Sequence, residues 1–196
     1  DTHYAFVSGN MAAPYKIYAD NVSALDKDPS NGNEVSYAIT ATDGIDAWGN
    51  VTGTTVSTYS ADDHTNFLTR KITENSYGAT TYEQQFGRLR SSKITQKRPA
   101  PSTDIIRTSK YDYYMDGTGL LKSEQVVTPD GSVTALTTYQ YDVFGNRTCV
   151  SVGADTDNTK NCTISTANRY VITDYDITSG RFATSVRAPF NSPTGW

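Results

Sequence analysis

Apolar and polar residues alternate between the turns of this chain with the period of two that marks a strand with one face turned from water. The clearest stretch is Ser132-Val133-Thr134-Ala135-Leu136-Thr137-Thr138-Tyr139-Gln140-Tyr141. It follows the turn signal Pro129-Asp130-Gly131, and Lys122-Ser123-Glu124-Gln125-Val126-Val127-Thr128 stands before that turn, so the two segments are predicted to pair as a hairpin. Residues 89–97 and 103–111 flank Pro99-Ala100-Pro101 in the same way and predict a second hairpin. Residues 50–59, 68–74, 147–152 and 168–175 read as further strands, and no helical stripe exceeds two turns. Turn residues without alternation mark 20–33 as a loop. The expected fold is all-β: antiparallel β-hairpin repeats forming a section of a shell or an extended twisted sheet.

One phrase recurs between these strands: an aromatic or acidic pair, a few variable residues, a glycine, then Asn or Arg and a strand-forming run. It occurs as Asp46-Ala47-Trp48-Gly49-Asn50-Val51, Tyr82-Glu83-Gln84-Gln85-Phe86-Gly87-Arg88-Leu89 and Tyr114-Met115-Asp116-Gly117-Thr118-Gly119-Leu120-Leu121. It returns as Tyr141-Asp142-Val143-Phe144-Gly145-Asn146-Arg147 and Tyr175-Asp176-Ile177-Thr178-Ser179-Gly180-Arg181-Phe182. The glycines Gly49, Gly87, Gly119, Gly145 and Gly180 are 38, 32, 26 and 35 residues apart, an irregular spacing of solenoid size. Glycine supplies a positive φ, and a nearby Asp or Asn bonds the turn backbone through its side chain, so each phrase is predicted to be a turn. The tyrosine before it is expected to stack on its counterpart in the next repeat and to keep its hydroxyl in water.

Composition sharpens this picture. Threonine occurs 29 times, serine 18 and tyrosine 14 against six leucines, which favours strands over helices. The 196 residues suffice for one domain with a core. Mean hydropathy is −0.54. The net charge of −4 excludes a general positive field for nucleic acid or an anionic membrane. No apolar run reaches the roughly 20 residues of a membrane span. The opening at Asp1, with no initiator Met or signal-like segment, reads as a mature product or an excised fragment. Cys149 and Cys162 lie 13 positions apart across a polar stretch. Without a nearby His they do not complete a four-ligand zinc site; they are either two free thiols or a staple across a hairpin, worth about 3 kcal/mol. An oxidising compartment suits the staple.

The segment from Phe86-Gly87-Arg88-Leu89, through Lys97-Arg98-Pro99 and Gly119-Leu120-Leu121, to Tyr139-Gln140-Tyr141-Asp142-Val143-Phe144-Gly145-Asn146-Arg147-Thr148 resembles the Rhs or YD-repeat family. It is most similar to the repeat regions of bacterial Rhs proteins related to SpvB-type and insecticidal Tc toxins. The resemblance covers residues 45–188. It leaves 1–44 as an irregular N-terminal segment or partial repeat and 189–196 as a tail or the start of a next repeat. It implies a strip of hairpins that spirals into a hollow shell around a toxin segment, outside the bacterial cell or at its surface. The partners so implied are neighbouring repeats and the enclosed polypeptide. The copies depart from the family phrase where Ile45 precedes Asp46 and Glu83 follows Tyr82, and the family's autoproteolytic segment has no counterpart.

Catalytic candidates are sparse. His3 and His64 are the only histidines, His64 follows Asp62-Asp63 in a stretch that reads as loop, and no Gly-x-Ser-x-Gly elbow accompanies them. Seventeen Asp and four Glu offer carboxylates without a distinguishable pair. Asp155-Thr156-Asp157-Asn158 and Asp26-Lys27-Asp28 lack the sixth-position glycine and twelfth-position acid of an EF-hand, so solvated turns are expected. Lys93, Lys97, Arg98 and Arg107 read as a strand face balanced by acids opposite. The function expected is a non-catalytic section of a shell, with no cofactor and no metal. The alternative is a surface module for carbohydrate or an adhesion partner, with Trp48 and exposed tyrosines as stacking platforms.

Overall fold

A computed structural model describes residues 2–6, 17–78, 80, 87–153 and 169–188. The described residues are all-β, their strands pair antiparallel, and none of them is helical. The chain divides into two units, residues 1–108 and 109–196. Composition did not reveal that division. The first unit holds β1 (Thr2–Phe6), β2 (Ile17–Lys27), β3 (Glu34–Ile45), β4 (Val51–Ser60), β5 (Asp63–Tyr77) and β6 (Leu89–Lys97). The second holds β8 (Leu121–Val127), β9 (Val133–Tyr141), β10 (Arg147–Gly153), β11 (Arg169–Tyr175) and β12 (Ala183–Arg187), while β7 (Ile105–Tyr113) spans the dividing point. Within each unit the sheet order is the chain order, so each strand pairs with its sequence neighbours through a turn or short loop.

The predicted hairpin of β8 and β9 is present, with Ser123 opposite Thr138 and Gln125 opposite Leu136. The segments flanking Pro99–Pro101 are strands, β6 and β7. Two expectations are corrected. Residues 20–27 are strand, not loop: β2 aligns Ala24 with Ala38 and Leu25 with Tyr37, and only 28–33 turn. The stretch holding His64 is also strand, because β5 starts at Asp63 rather than Leu68. Both segments lack alternation because both of their faces are half-exposed or exposed. Their order comes from the ladder with β3 and β4, which a local reading does not see.

Few of the described residues are core. The buried apolar side chains among the described residues are Tyr59, Val127, Leu136 and Cys149, and none is below 2% exposed. Ser57, Thr95, Ser123 and Ser151 are buried beside them. Among the described residues the main contacts between strands are those of sheet neighbours. The abundance of threonine follows from this. A strand covered only by its neighbours needs β-branched side chains that lie flat and bond laterally, as the Thr58 and Thr69 hydroxyls do at 2.6 Å. Ser57 is buried and accepts from Nε of its cross-strand partner Arg70 at 3.0 Å.

Candidate functional site

The recurring phrase builds one local structure twice. In the turn between β3 and β4, Asp46 N–H donates to Asn50 O at 3.0 Å and Gly49 N–H to Asp46 O at 3.0 Å. The Asp46 carboxylate accepts from Trp48 N and Asn50 N on Oδ1, at 2.9 Å each, and from Asn50 Nδ2 on Oδ2 at 2.7 Å. Between β9 and β10 the same bonds recur. Asp142 N–H reaches Asn146 O at 3.0 Å, Gly145 N–H reaches Asp142 O at 3.1 Å, and the Asp142 carboxylate takes Phe144 N, Asn146 N and Asn146 Nδ2. Gly49 and Gly145 have φ of 88° and 83°, so the expected positive φ is present. Partial desolvation raises the Asp142 carboxyl, but its bonds from Asn146, Phe144 and Gly145 outweigh that and hold it below the ordinary value.

The longer turns use a second geometry. Tyr114 N–H closes on Leu120 O and Asp176 N–H on Phe182 O, both at 2.9 Å, and Gly87, Gly119 and Gly180 have φ of 62–65°. Asp176 is held low by the Ser179 hydroxyl, with the Thr178 and Ser179 amides adding to it. Of the phrase copy Tyr82–Leu89, residues 82–86 lie outside the described residues.

A link between turns was not foreseen. The amide nitrogen of Asn146 has two hydrogens; one goes to Asp142 Oδ2, and the other to Gly180 O at 2.7 Å. The Phe144 ring lies against Gly180, where a Cβ would come 2.6 Å from Phe144 Cγ and nearer still to Cδ2. In the first unit Asn50 also lies close to Gly87, with its oxygen facing the glycine: a Cβ there would meet Asn50 Oδ1 at 2.9 Å. The asparagine of each short turn is therefore set against the glycine of the turn two strands on. The signal in the sequence is the Asn after the glycine, whose second N–H the short turn leaves unused.

The tyrosines next to the turns behave differently from expectation. Tyr114 and Tyr141 do touch, but edge to face at 6.1 Å and 85°. Their hydroxyls are not left to water: Tyr114 donates to Tyr139 O at 2.8 Å and Tyr141 to Leu121 O at 3.0 Å, while Tyr77 in the first unit donates to Val51 O at 3.0 Å. Where few side chains among the described residues are buried, these bonds tie the strand ends. Burial and a bond to Glu124 push Tyr139 up to about 12. Tyr175 ends β11, half-buried, directly before Asp176.

Between the turns 114–120 and 142–146 lies an open cavity of about 280 Å³. Its lining includes Tyr114, Tyr141, Asp116, Asp142, Gln140 and Thr148.

The other candidates resolve as follows. His64 bonds Glu34 through Nε2 and stacks on Tyr37 at 4.4 Å, bracing the start of β5 to that of β3. Asp63 beside it bonds Thr65 and Asn66, which hold its carboxyl well below the usual range. Asp28 bonds Ser30 and Asn31 inside its turn, and Asp26 accepts from Ser36, so those acids serve turn and ladder. Asp155–Asn158 and the side chain of His3 lie outside the described residues, among which no three potential ligands gather for a metal. Lys93 pairs with Glu74 on the neighbouring strand at 2.8 Å, as expected of a balanced strand face, while Lys97 meets Asp104 at 3.6 Å in the loop before β7. Trp48 sits 38% exposed at a turn. Cys149 is 3% exposed and no free cysteine is present among the described residues; Cys162 lies outside them.

No protein-family model matches the chain, and no curated protein matches it.

Proposed function

We propose that the chain is a non-catalytic section of an Rhs-type YD-repeat shell, secreted or displayed at a bacterial surface, whose sheet walls off a polypeptide toxin cargo. The observation that carries this reading is a layer of hairpins with almost no apolar core. A sheet held by turns, lateral hydroxyl bonds and tyrosine-to-carbonyl ties keeps its form while its faces stay available to neighbouring repeats and to a contained chain. Containment needs no catalytic group; its mechanism is exclusion. A Cys149–Cys162 disulfide belongs to the same reading, supported by the burial of Cys149 and by the lack of a free thiol among the described residues.

Neighbouring repeats would join through strand edges, since β12 has β11 on one side only in the sheet order. Sedimentation equilibrium over a concentration series tests this. The expected result is concentration-dependent association that Val186→Lys abolishes, because Val186 is 66% exposed on β12 and a lysine there blunts the edge without entering a core. A strictly monomeric parent protein, or association indifferent to Val186→Lys, would count against the scaffold reading.

A further inference from the structure

We infer that the cavity between the turns 114–120 and 142–146 is a binding site for a single uncharged pyranose ring. This moves the carbohydrate alternative from Trp48 to the turn residues of the recurring phrase together with Gln140 and Thr148, and it holds whether or not the chain is part of a shell.

Three features of the cavity point to a polyhydroxylated ligand. The first is polar capacity without internal use. Asp142 is committed to its own turn, but Asp116 takes both Thr118 bonds on Oδ1, and no other residue among those described donates to its Oδ2. The Gln140 amide and the Thr148 hydroxyl likewise have no side-chain hydrogen bond within the described residues, although both are half-buried. An acceptor, an amide that donates and accepts, and a hydroxyl that does both match neighbouring sugar hydroxyls, each itself donor and acceptor. The second feature is a fixed aromatic wall: Tyr114 and Tyr141 are pinned by their hydroxyls to backbone carbonyls and by their edge-to-face contact, so a sugar meets rings already in place.

The third feature is in the backbone. The ladder between β9 and β10 shifts register between Arg147 and Cys149, which leaves Thr148 as the extra residue of a bulge, a device that re-aims a side chain. The cavity also selects by charge and size. Two carboxylates and no Lys or Arg line it, which turns away phosphates, sulfates and acidic sugars. A volume of about 280 Å³ is at the small end of ligand sites, room for one ring rather than a chain.

The test is ligand-observed NMR on the intact chain with glucose, galactose, mannose and N-acetylglucosamine, with glucuronate and tetramethylammonium beside them. Saturable millimolar binding of at least one neutral pyranose is expected, with no response to glucuronate. Gln140→Ala and Asp116→Asn should each weaken it about tenfold with unchanged thermal midpoints, the loss of roughly one hydrogen bond to a sugar hydroxyl. Asp116→Asn keeps the oxygen that Thr118 uses, so the turn survives. Amide shift mapping on the parent protein gives a readout independent of variants, and perturbations should centre on 114–120 and 140–148. Silence from every neutral pyranose, shifts elsewhere, binding unchanged in both variants, or a response to tetramethylammonium alone would overturn the assignment. Edge association through β12 is read separately, so its failure and this one are distinguishable.

Discussion

Gly180→Ala isolates the contact between turns from the strain within one. At φ 62° an alanine suffers the left-handed penalty of about 1–2 kcal/mol, and its smaller unfolded-state entropy offsets about 0.4–1 kcal/mol of that. Gly145→Ala carries the same two contributions at φ 83°, and nothing lies within 4 Å of its new Cβ, so it should cost about 1 kcal/mol. At Gly180 the Cβ also displaces the Phe144 ring and crowds Asn146 Nδ2 at 3.1 Å. The bond from Asn146 to Gly180 O then weakens or breaks, which adds about 0.5–1.5 kcal/mol. Gly180→Ala should therefore lower the unfolding free energy by about 1 kcal/mol more than Gly145→Ala, read as a lower urea midpoint at equal slope. Phe144 is 54% exposed, so Phe144→Ala is tolerated and completes a cycle: without the ring, Gly180→Ala should fall close to the cost of Gly145→Ala. Equal midpoints for the two glycine variants, with no coupling to Phe144, would refute the claim that the turns are joined.

Asn146→Asp should destabilise more than Asn146→Ala at neutral pH, because it replaces two donors by acceptors facing Asp142 Oδ2 and Gly180 O; urea midpoints in the opposite order would remove the bonding scheme. In alkali, Tyr139 keeps its proton to about pH 12 in the folded chain while an unfolded tyrosine loses it near 10, and Tyr77, Tyr114 and Tyr141 are raised in the same direction, chiefly by burial. Their contribution is full below about pH 10 and is lost as pH rises toward 12, so unfolding midpoints should drop across that window. A flat profile there, or one Glu124→Gln leaves unmoved, would contradict the environment described for Tyr139. Thiol titration of denatured, unreduced protein made under oxidising conditions should find no reactive cysteine, and two per chain would exclude the Cys149–Cys162 pairing.

The turns were legible because their chemistry is local. An Asp that bonds its own following amides and a glycine with positive φ lie within five residues of each other at 46–50 and 142–146, and a short window contains the whole cause. The β8–β9 hairpin was legible for the same reason. β2, β3 and the first residues of β5 were not: their half-exposed and exposed positions carry little periodicity, and they are strands because of partners such as Ala38 for Ala24. The joining of turns lay further out of reach, since Asn146 and Gly180 are 34 positions apart. The tyrosine hydroxyls were misjudged on the assumption that a strand-end ring faces water, whereas this thin sheet enlists them as donors. The candidate cavity needed the bulge at Thr148, which no residue pattern announces.

Under mechanical load the bond between Asn146 and Gly180 becomes a latch. In the second unit β12 pairs only with β11 in the sheet order, so a pull through Arg187 unzips it one residue at a time, the weak direction for an antiparallel pair. The fork then reaches the turn 176–182, where the Asn146 amide and the Phe144 ring grip Gly180 from a hairpin that bears no load. β11 leaves β10 only after that grip yields, and residues 169–182 then come away together, releasing roughly 48 Å of extended chain. The sheet thus gives way hairpin by hairpin, and the asparagine that follows the turn glycine sets the size of each step.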